Sequence, residues 1–315
     1  MKVLVNDQID EEAVNLLRAN GLVVDVKEYS QEELVKKIVD YDILIVRSRT
    51  KVDRPIINSG KKLKIIARAG AGLDNIDLDA AKEKNIAIVN SPGAPSEAVC
   101  ELVFALLLSL SRQLCRASQK LKSGEWVKKQ LQGFELKGKN LLIIGYGRIG
   151  RLVALRAKAF EMNVYVYDSL QEALGKAKAD GFSVYGPGKD QLLTALNIAD
   201  IITIHVPLIN ETRNLIAAEE FAHMKKGVFI INTSRGGIIN ERDLLENLNK
   251  GKVAGAGLDV YEIEPPLSGF SRELANHPNT ICTPHIGAAT AEAQSKAGMI
   301  IVEKIIKLIT SKTIC

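Results

Sequence analysis

Leu141-Leu142-Ile143-Ile144-Gly145-Tyr146-Gly147-Arg148-Ile149-Gly150 is the stretch whose reading decides the fold. Four apolar residues in a row read as a buried strand, and the glycines after them open a helical pattern. In such a strand–turn–helix unit Gly145 permits the tight turn, Gly147 lets a pyrophosphate approach the backbone, and Gly150 lets helix pack closely on strand. Arg148 and Ile149 fall in the first helical turn, whose N–H groups are donors for phosphate. The next β-branched run, Val164 to Tyr167, closes at Asp168, where a carboxylate can accept hydrogen bonds from ribose hydroxyls. That charge repels a 2′-phosphate, and Ser169-Leu170-Gln171 offers no arginine to offset it, so NAD is expected rather than NADP.

Outward from this unit, further short apolar runs follow at Ile201 to His205, Val228 to Asn232, Val253 to Asp259 and Thr280 to Cys282, and read as one parallel sheet. An earlier series, Val3 to Val5, Leu22 to Val26, Ile43 to Val46, Lys64 to Ala67 and Ile86 to Val89, reads as another. Between them Ser91-Pro92-Gly93-Ala94-Pro95 is a turn cluster, followed by a helix opened by Ser96 and Glu97. The helical pattern Ala289 to Ile309 has no following strand, so it is expected to return to the first domain. The expected fold class is α/β, with two doubly wound parallel-sheet domains. A Rossmann-type cofactor domain, residues 96–286, is inserted into a discontinuous flavodoxin-like substrate domain, residues 1–95 and 287–315.

The bulk properties narrow the function classes. With 315 residues and 46% apolar content, two cores can be buried. The longest apolar stretch, Leu102 to Leu110, is too short to span a bilayer, and the amino terminus lacks a signal-peptide core, so a cytosolic chain with no membrane partner is expected. The four cysteines, Cys100, Cys115, Cys282 and Cys315, have no metal-binding spacing, and no metal is expected. Cys100 and Cys115 are expected to share one helical segment, roughly 22 Å apart and beyond disulfide reach. All four are read as reduced. The net charge of +5 is interspersed with acidic residues and has no aromatic platform beside it, which argues against nucleic acid as a partner.

Three charged residues after the fingerprint carry candidate chemistry. Arg235 in NTSRGG follows a strand, where its fork can hold a carboxylate in a bidentate pair. Glu264 in DVYEIEPP and His285 in TPHIGAAT supply a carboxylate and an imidazole that titrates near neutral pH. Each alone is an ordinary surface residue; together, at strand ends behind a dinucleotide fingerprint, they point to hydride chemistry on a small organic acid. Arg47 and Arg68, each following a strand of the first series, add positive charge suited to a second anionic group.

Six stretches carry a resemblance to a known family: RAGAGLDNID (Arg68 to Asp77), GRIG, ADIITIHVPL, NTSRGGIIN, GAGLDVYEIEP and PHIGAAT. In this order the chain resembles the D-isomer-specific 2-hydroxyacid dehydrogenases nearly end to end. The resemblance implies that Arg235, Glu264 and His285 are catalytic and that Asp259 binds the nicotinamide carboxamide. It puts His205, Val206 and Pro207 at the nicotinamide ribose, with Thr212, Thr233, Ser234 and Gly287 also at the cofactor. It gives Arg47, Arg68, Ala69 and Gly70 to an anionic 2-hydroxy or 2-keto acid, in a cleft between the domains, and implies a homodimer formed through the cofactor domains. The implied reaction is NAD-dependent oxidation of D-3-phosphoglycerate, the first step of serine biosynthesis. Reduction of glyoxylate or hydroxypyruvate is the alternative, and an NAD-sensing corepressor role on the same fold stays open. The serine-binding regulatory domain of longer relatives is not expected, because the chain ends at Cys315.

Overall fold

A computed structural model describes residues 1–311; Cys315 lies outside the described residues. The chain divides into two compact units, Met1–Ala98 with the residues from Ala288 onward, and Val99–Gly287. The division passes inside the helix Ser96–Arg112.

The first unit holds β1 (Lys2–Val5), β2 (Val23–Val26), β3 (Ile43–Val46), β4 (Ile65–Arg68) and β5 (Ala87–Asn90). All neighbours are parallel, in the order β2-β1-β3-β4-β5, the flavodoxin-like doubly wound arrangement. The four side chains of β3 are fully buried, as a central parallel strand covered on both faces requires. One face is covered by Leu34, Ile38, Ile56 and Ile57, the other by Ala13, Leu17, Ile301 and Ile305. Ile301 and Ile305 belong to the helix Ala291–Thr310, whose amino end is capped by Thr290 Oγ1 accepting the Ala293 N–H at 3.2 Å. The final helical pattern therefore returns to the first unit because its apolar stripe is buried there.

The second unit holds β6 (Asn140–Ile144), β7 (Asn163–Tyr167), β8 (Ser183–Tyr185), β9 (Ile201–Ile204), β10 (Val228–Asn232), β11 (Val253–Leu258) and β12 (Thr280–Cys282). Their order, β12-β11-β10-β9-β6-β7-β8, is the Rossmann order extended by one strand. The chain leaves β6 toward β7 on one side and returns at β9 on the other, pairing Ile144 with both Tyr167 and Ile204. This reversal opens a crevice at the carboxyl edge, where doubly wound sheets bind ligands.

Two features depart from the sequence reading. Strand β8 was not expected, because Ser183-Val184-Tyr185 is only three residues long and sits between Gly181 and Gly186-Pro187. Cys100 and Cys115 do not share a helix. The helix Ser96–Arg112 ends before Gln113, which adopts a left-handed conformation (φ 52°), and Leu114–Lys122 departs at 63°. Gln113 has neither the glycine nor the proline that announces a break, and its Nε2 donates to Gln132 O at 3.1 Å. Cys100 is buried, Cys115 exposed and Cys282 half-buried, and no disulfide joins any of the three.

If the last helix completes the first core, Ile301→Ala lowers unfolding free energy by about 2–5 kcal/mol. Urea denaturation measures this; a loss well under about 1 kcal/mol would contradict the assignment.

Candidate active site

The fingerprint glycines are explained by what surrounds them. At Gly145, with φ 97°, a Cβ would lie 2.6 Å from His205 O, so the β6 turn closes against the end of β9 only without a side chain. At Gly150 a Cβ would lie 2.0 Å from Gly145 O, where helix Arg148–Ala159 crosses the strand end. Gly147 differs, since a Cβ there would meet nothing within 4 Å. Its lack of a side chain leaves open space beside a helix amino end that no side chain caps. Arg148 is exposed at that end and Ile149 half-buried.

Asp168, just past β7, faces this turn. Its Oδ2 accepts the Tyr146 N–H at 2.7 Å and its Oδ1 the Leu170 N–H at 2.9 Å, which fixes the carboxylate beside the glycine turn. Each oxygen keeps a lone pair for a hydroxyl donor. Across the crevice, His205 Nδ1 and Thr233 Oγ1 are buried with no hydrogen-bond partner among the described residues. His205 Nε2 pairs with Thr203 Oγ1 at 3.0 Å, and burial pushes its pKa down to about 3, so the ring is neutral. Val206 and Pro207 follow in a loop closed by Thr212, whose hydroxyl donates to Pro207 O at 2.5 Å and accepts the Ile209 N–H at 2.9 Å. Buried polar atoms without partners are rare enough that two at one sheet edge mark a ligand's place. Together with the open glycine turn they fit a dinucleotide.

Arg235 follows β10 in a turn organised by Asn232. The Asn232 Oδ1 accepts from both the N–H (3.0 Å) and hydroxyl (2.7 Å) of Ser234, and its Nδ2 donates to Arg235 O at 2.9 Å. Arg235 Nη1 donates to Ser234 O at 2.7 Å. Gly236 lets this turn touch the next loop, since a Cβ there would lie 1.9 Å from Tyr261 O. That loop carries Glu264, whose Oε1 accepts the Tyr261 N–H at 3.1 Å and whose Oε2 lies 2.8 Å from His285 Nδ1.

The Glu264–His285 pair sets its own electrostatics. Burial raises the Glu264 pKa, but the hydrogen bond and charge of His285, with help from the Tyr261 N–H and Arg235, outweigh it and hold the carboxyl below its usual range. The hydrogen bond to Glu264 raises the His285 pKa above its ordinary value, against partial burial and the Arg235 charge. An ionised Glu264 only accepts, so Nδ1 carries the proton toward it and Nε2 of the neutral ring keeps a lone pair. The pair can thus take up a proton at Nε2 and return it.

His285 holds an unusual backbone, φ 52° without being glycine. Asp259, buried after β11, secures that turn. Its Oδ1 accepts the Thr283 hydroxyl at 2.6 Å and the Ile286 N–H at 2.8 Å, and its Oδ2 the Gly287 N–H at 2.8 Å. A Cβ at Gly287 would press on that Oδ2 at 3.1 Å. Sequence reasoning gave Asp259 to the cofactor and missed Thr283 entirely, because a clamp between residues 24 to 28 positions apart leaves no local pattern.

The structure thus gathers every expected cofactor and catalytic residue along one sheet edge of the second unit. Arg47, Arg68, Ala69 and Gly70 lie instead in the first unit, at the carboxyl ends of β3 and β4, where Val46 pairs with Arg68. The Arg68 guanidinium lies along Gly70, where a Cβ would be 2.1 Å from Nη1. The buried Asp7 fixes the loop after β3, accepting the Arg47 N–H at 2.6 Å and the Thr50 hydroxyl at 2.6 Å.

Comparison with known proteins agrees with this geometry. Residues 104–287 match the family model described as D-isomer specific 2-hydroxyacid dehydrogenase, NAD binding domain. A hydroxypyruvate reductase of Thermotoga maritima is 48% identical over 307 residues, covering 97% of both chains. A D-3-phosphoglycerate dehydrogenase of Archaeoglobus fulgidus is 45% identical over 98% of this chain, which spans 57% of that protein's length. Among solved structures, the TT0316 protein of Thermus thermophilus superposes with a TM-score of 0.87 at 32% identity, covering 99% of this chain and 97% of its own. With a glycine turn that fits a dinucleotide and a carboxylate-paired imidazole on the same edge, the chain belongs to the D-isomer-specific 2-hydroxyacid dehydrogenases and uses NAD.

Proposed function

We propose that the enzyme interconverts D-3-phosphoglycerate and 3-phosphohydroxypyruvate. The observation that carries this reading is the pair Arg47 and Arg68 at neighbouring strand ends, Arg47 directly following Val46, which pairs with Arg68 across β3 and β4. Arg49 in the same loop is engaged by Asp7 and Glu28, whereas Arg47 hydrogen-bonds the neutral Gln294 amide at 3.3 Å. A phosphate brings more negative charge than the single Arg235 can offset, and two further guanidinium groups match it. The second reading, reduction of unphosphorylated hydroxypyruvate, is favoured by the full-length match to the Thermotoga reductase. Cysteines that form no disulfide among the described residues fit a cytosolic setting for either.

NAD, when bound, supplies the hydride acceptor for C2. In this reading Arg235 holds the substrate carboxylate, and His285 Nε2 removes the hydroxyl proton. Glu264 keeps the ring in the required tautomer and stabilises the imidazolium. Asp168 accepts the adenosine ribose hydroxyls. Asp259, Thr233, Ser234 and the loop from His205 to Thr212 line the nicotinamide end.

We also infer that two copies pair through the NAD-binding unit. The helix Leu114–Lys122 buries none of its residues, and beyond it Trp126 is 80% exposed. Leu114 and Leu121 on that helix are also exposed, at 51% and 61%, and these apolar side chains are the candidate contact surface. Light scattering should give twice the monomer mass in the wild type and a shift toward monomer on Trp126→Glu; a wild-type monomer would contradict the pairing.

Removing the imidazole in His285→Ala should lower kcat by roughly 10²–10⁴-fold with NAD affinity little changed. Oxidation needs the neutral ring, so kcat/KM for the hydroxy acid should climb with pH through a pKa above about 6.5, and reduction should decline through the same value. Near-normal turnover by His285→Ala would overturn the assignment of the base.

Arg68→Ala should raise KM for 3-phosphohydroxypyruvate about tenfold, the scale of a lost charge-assisted pair, and leave hydroxypyruvate nearly unaffected. The test is the ratio of kcat/KM for the two keto acids in wild type and variant. An unchanged ratio, or a wild type that prefers hydroxypyruvate, would favour the second reading.

A further inference from the structure

We infer that Glu241, which hydrogen-bonds neither Glu264 nor His285, is the positioning residue for Glu264, because it fixes the backbone on which Glu264 rides. Glu241 opens the helix Glu241–Asn249, directly after the capping Asn240, and is 6% exposed. Its Oε1 accepts the Glu262 N–H at 2.8 Å, and its own N–H donates to Glu262 Oε1 at 3.3 Å, a reciprocal pair between helix start and loop. Its Oε2 accepts the hydroxyl of Ser271, a buried residue of the helix Gly269–Asn276. That hydroxyl oxygen in turn accepts the Ile263 N–H at 3.3 Å. With Tyr261 N–H bound to Glu264 Oε1 at 3.1 Å, three consecutive loop amides are held, and the next residue is Glu264 itself.

Burying a carboxylate is costly unless its hydrogen bonds serve a purpose. Here the setting is adverse as well: burial, and the charges of Glu262 and Glu264, raise the Glu241 pKa. A carboxyl group kept at such a place is explained by the geometry it enforces on the loop. A hydrogen bond from His285 to a carboxylate fails with displacements of under 1 Å, so the loop must be fixed to that tolerance.

The inference rests on the reading of Glu264 and His285 as the acid–base pair, and not on the identity of the substrate. Glu241→Ala should reduce kcat about tenfold or more while KM for NAD stays within about twofold. It should also lower the apparent pKa of kcat/KM toward about 6.5, since Glu264 no longer reaches His285. The charged groups acting on His285 are Glu264, Asp259 and Arg235, and only the first is displaced. Glu241→Gln, whose amide oxygen can accept the Glu262 N–H and whose NH₂ can reach Ser271, should recover most of the loss. Ser271→Ala, which removes the Ile263 acceptor and the hydroxyl bound to Glu241 Oε2 but leaves the Glu262 pair, should give an intermediate drop and decides the matter if Glu241→Ala does not fold. A folded Glu241→Ala with unchanged kcat and pKa, an unchanged Ser271→Ala, or a Glu241→Gln as impaired as the alanine variant would overturn the positioning role. Retained turnover in His285→Ala would instead remove the acid–base reading beneath it.

Discussion

Parallel strands can be joined only by crossovers, so every strand of a parallel sheet ends on the same edge. The candidate active site of this protein depends on that constraint. In the second unit it brings the glycine turn after β6, Asp168 after β7, His205 after β9, Arg235 after β10, Asp259 after β11 and His285 after β12 to one rim. No single segment could supply a phosphate cradle, a cation and a proton carrier together. The order of the strands does so, with Gly145 and Gly150 permitting the close contacts that shape the rim.

On that rim the loops are fixed by buried carboxylates and amides. Asp259 ties the His285 turn, Glu241 ties the Glu264 loop, and Asn232 ties the Arg235 turn. These groups face backbone N–H donors, so each satisfies its own burial while aiming a neighbour that faces outward. The outcome is electrostatic. Glu264 is held ionised and His285 is held above its ordinary pKa by one short hydrogen bond, while Arg235 pulls both downward. His205, three strand positions from His285, is pushed the opposite way by burial alone. Two histidines of one sheet edge are thereby given opposite proton-binding behaviour by their surroundings.

The sequence disclosed what is local. Apolar runs with glycine and proline between them located eleven of the twelve strands among the described residues, and the fingerprint marked the turn after β6. Charged residues in the segments after strands, Arg235, Glu264 and His285, were legible because their strands were. Distant hydrogen bonds were not legible, among them the Asp259 clamp and the Glu241–Ser271 support, which join residues 21 to 30 positions apart. The break at Gln113 escaped notice for a related reason. Its left-handed backbone is stabilised by a contact to Gln132, and nothing in its own residue type requires it.

The account stands on the proton affinity of one imidazole, and there are only four histidines to resolve. Ring-carbon NMR titration of the protein labelled at histidine measures it directly, in the wild type and in Glu264→Gln. His285 should titrate above about 6.5 in the wild type and move down in the variant, while His205 stays neutral throughout the accessible range. A His285 that titrates at or below the ordinary value and does not respond to loss of the Glu264 charge would contradict the account.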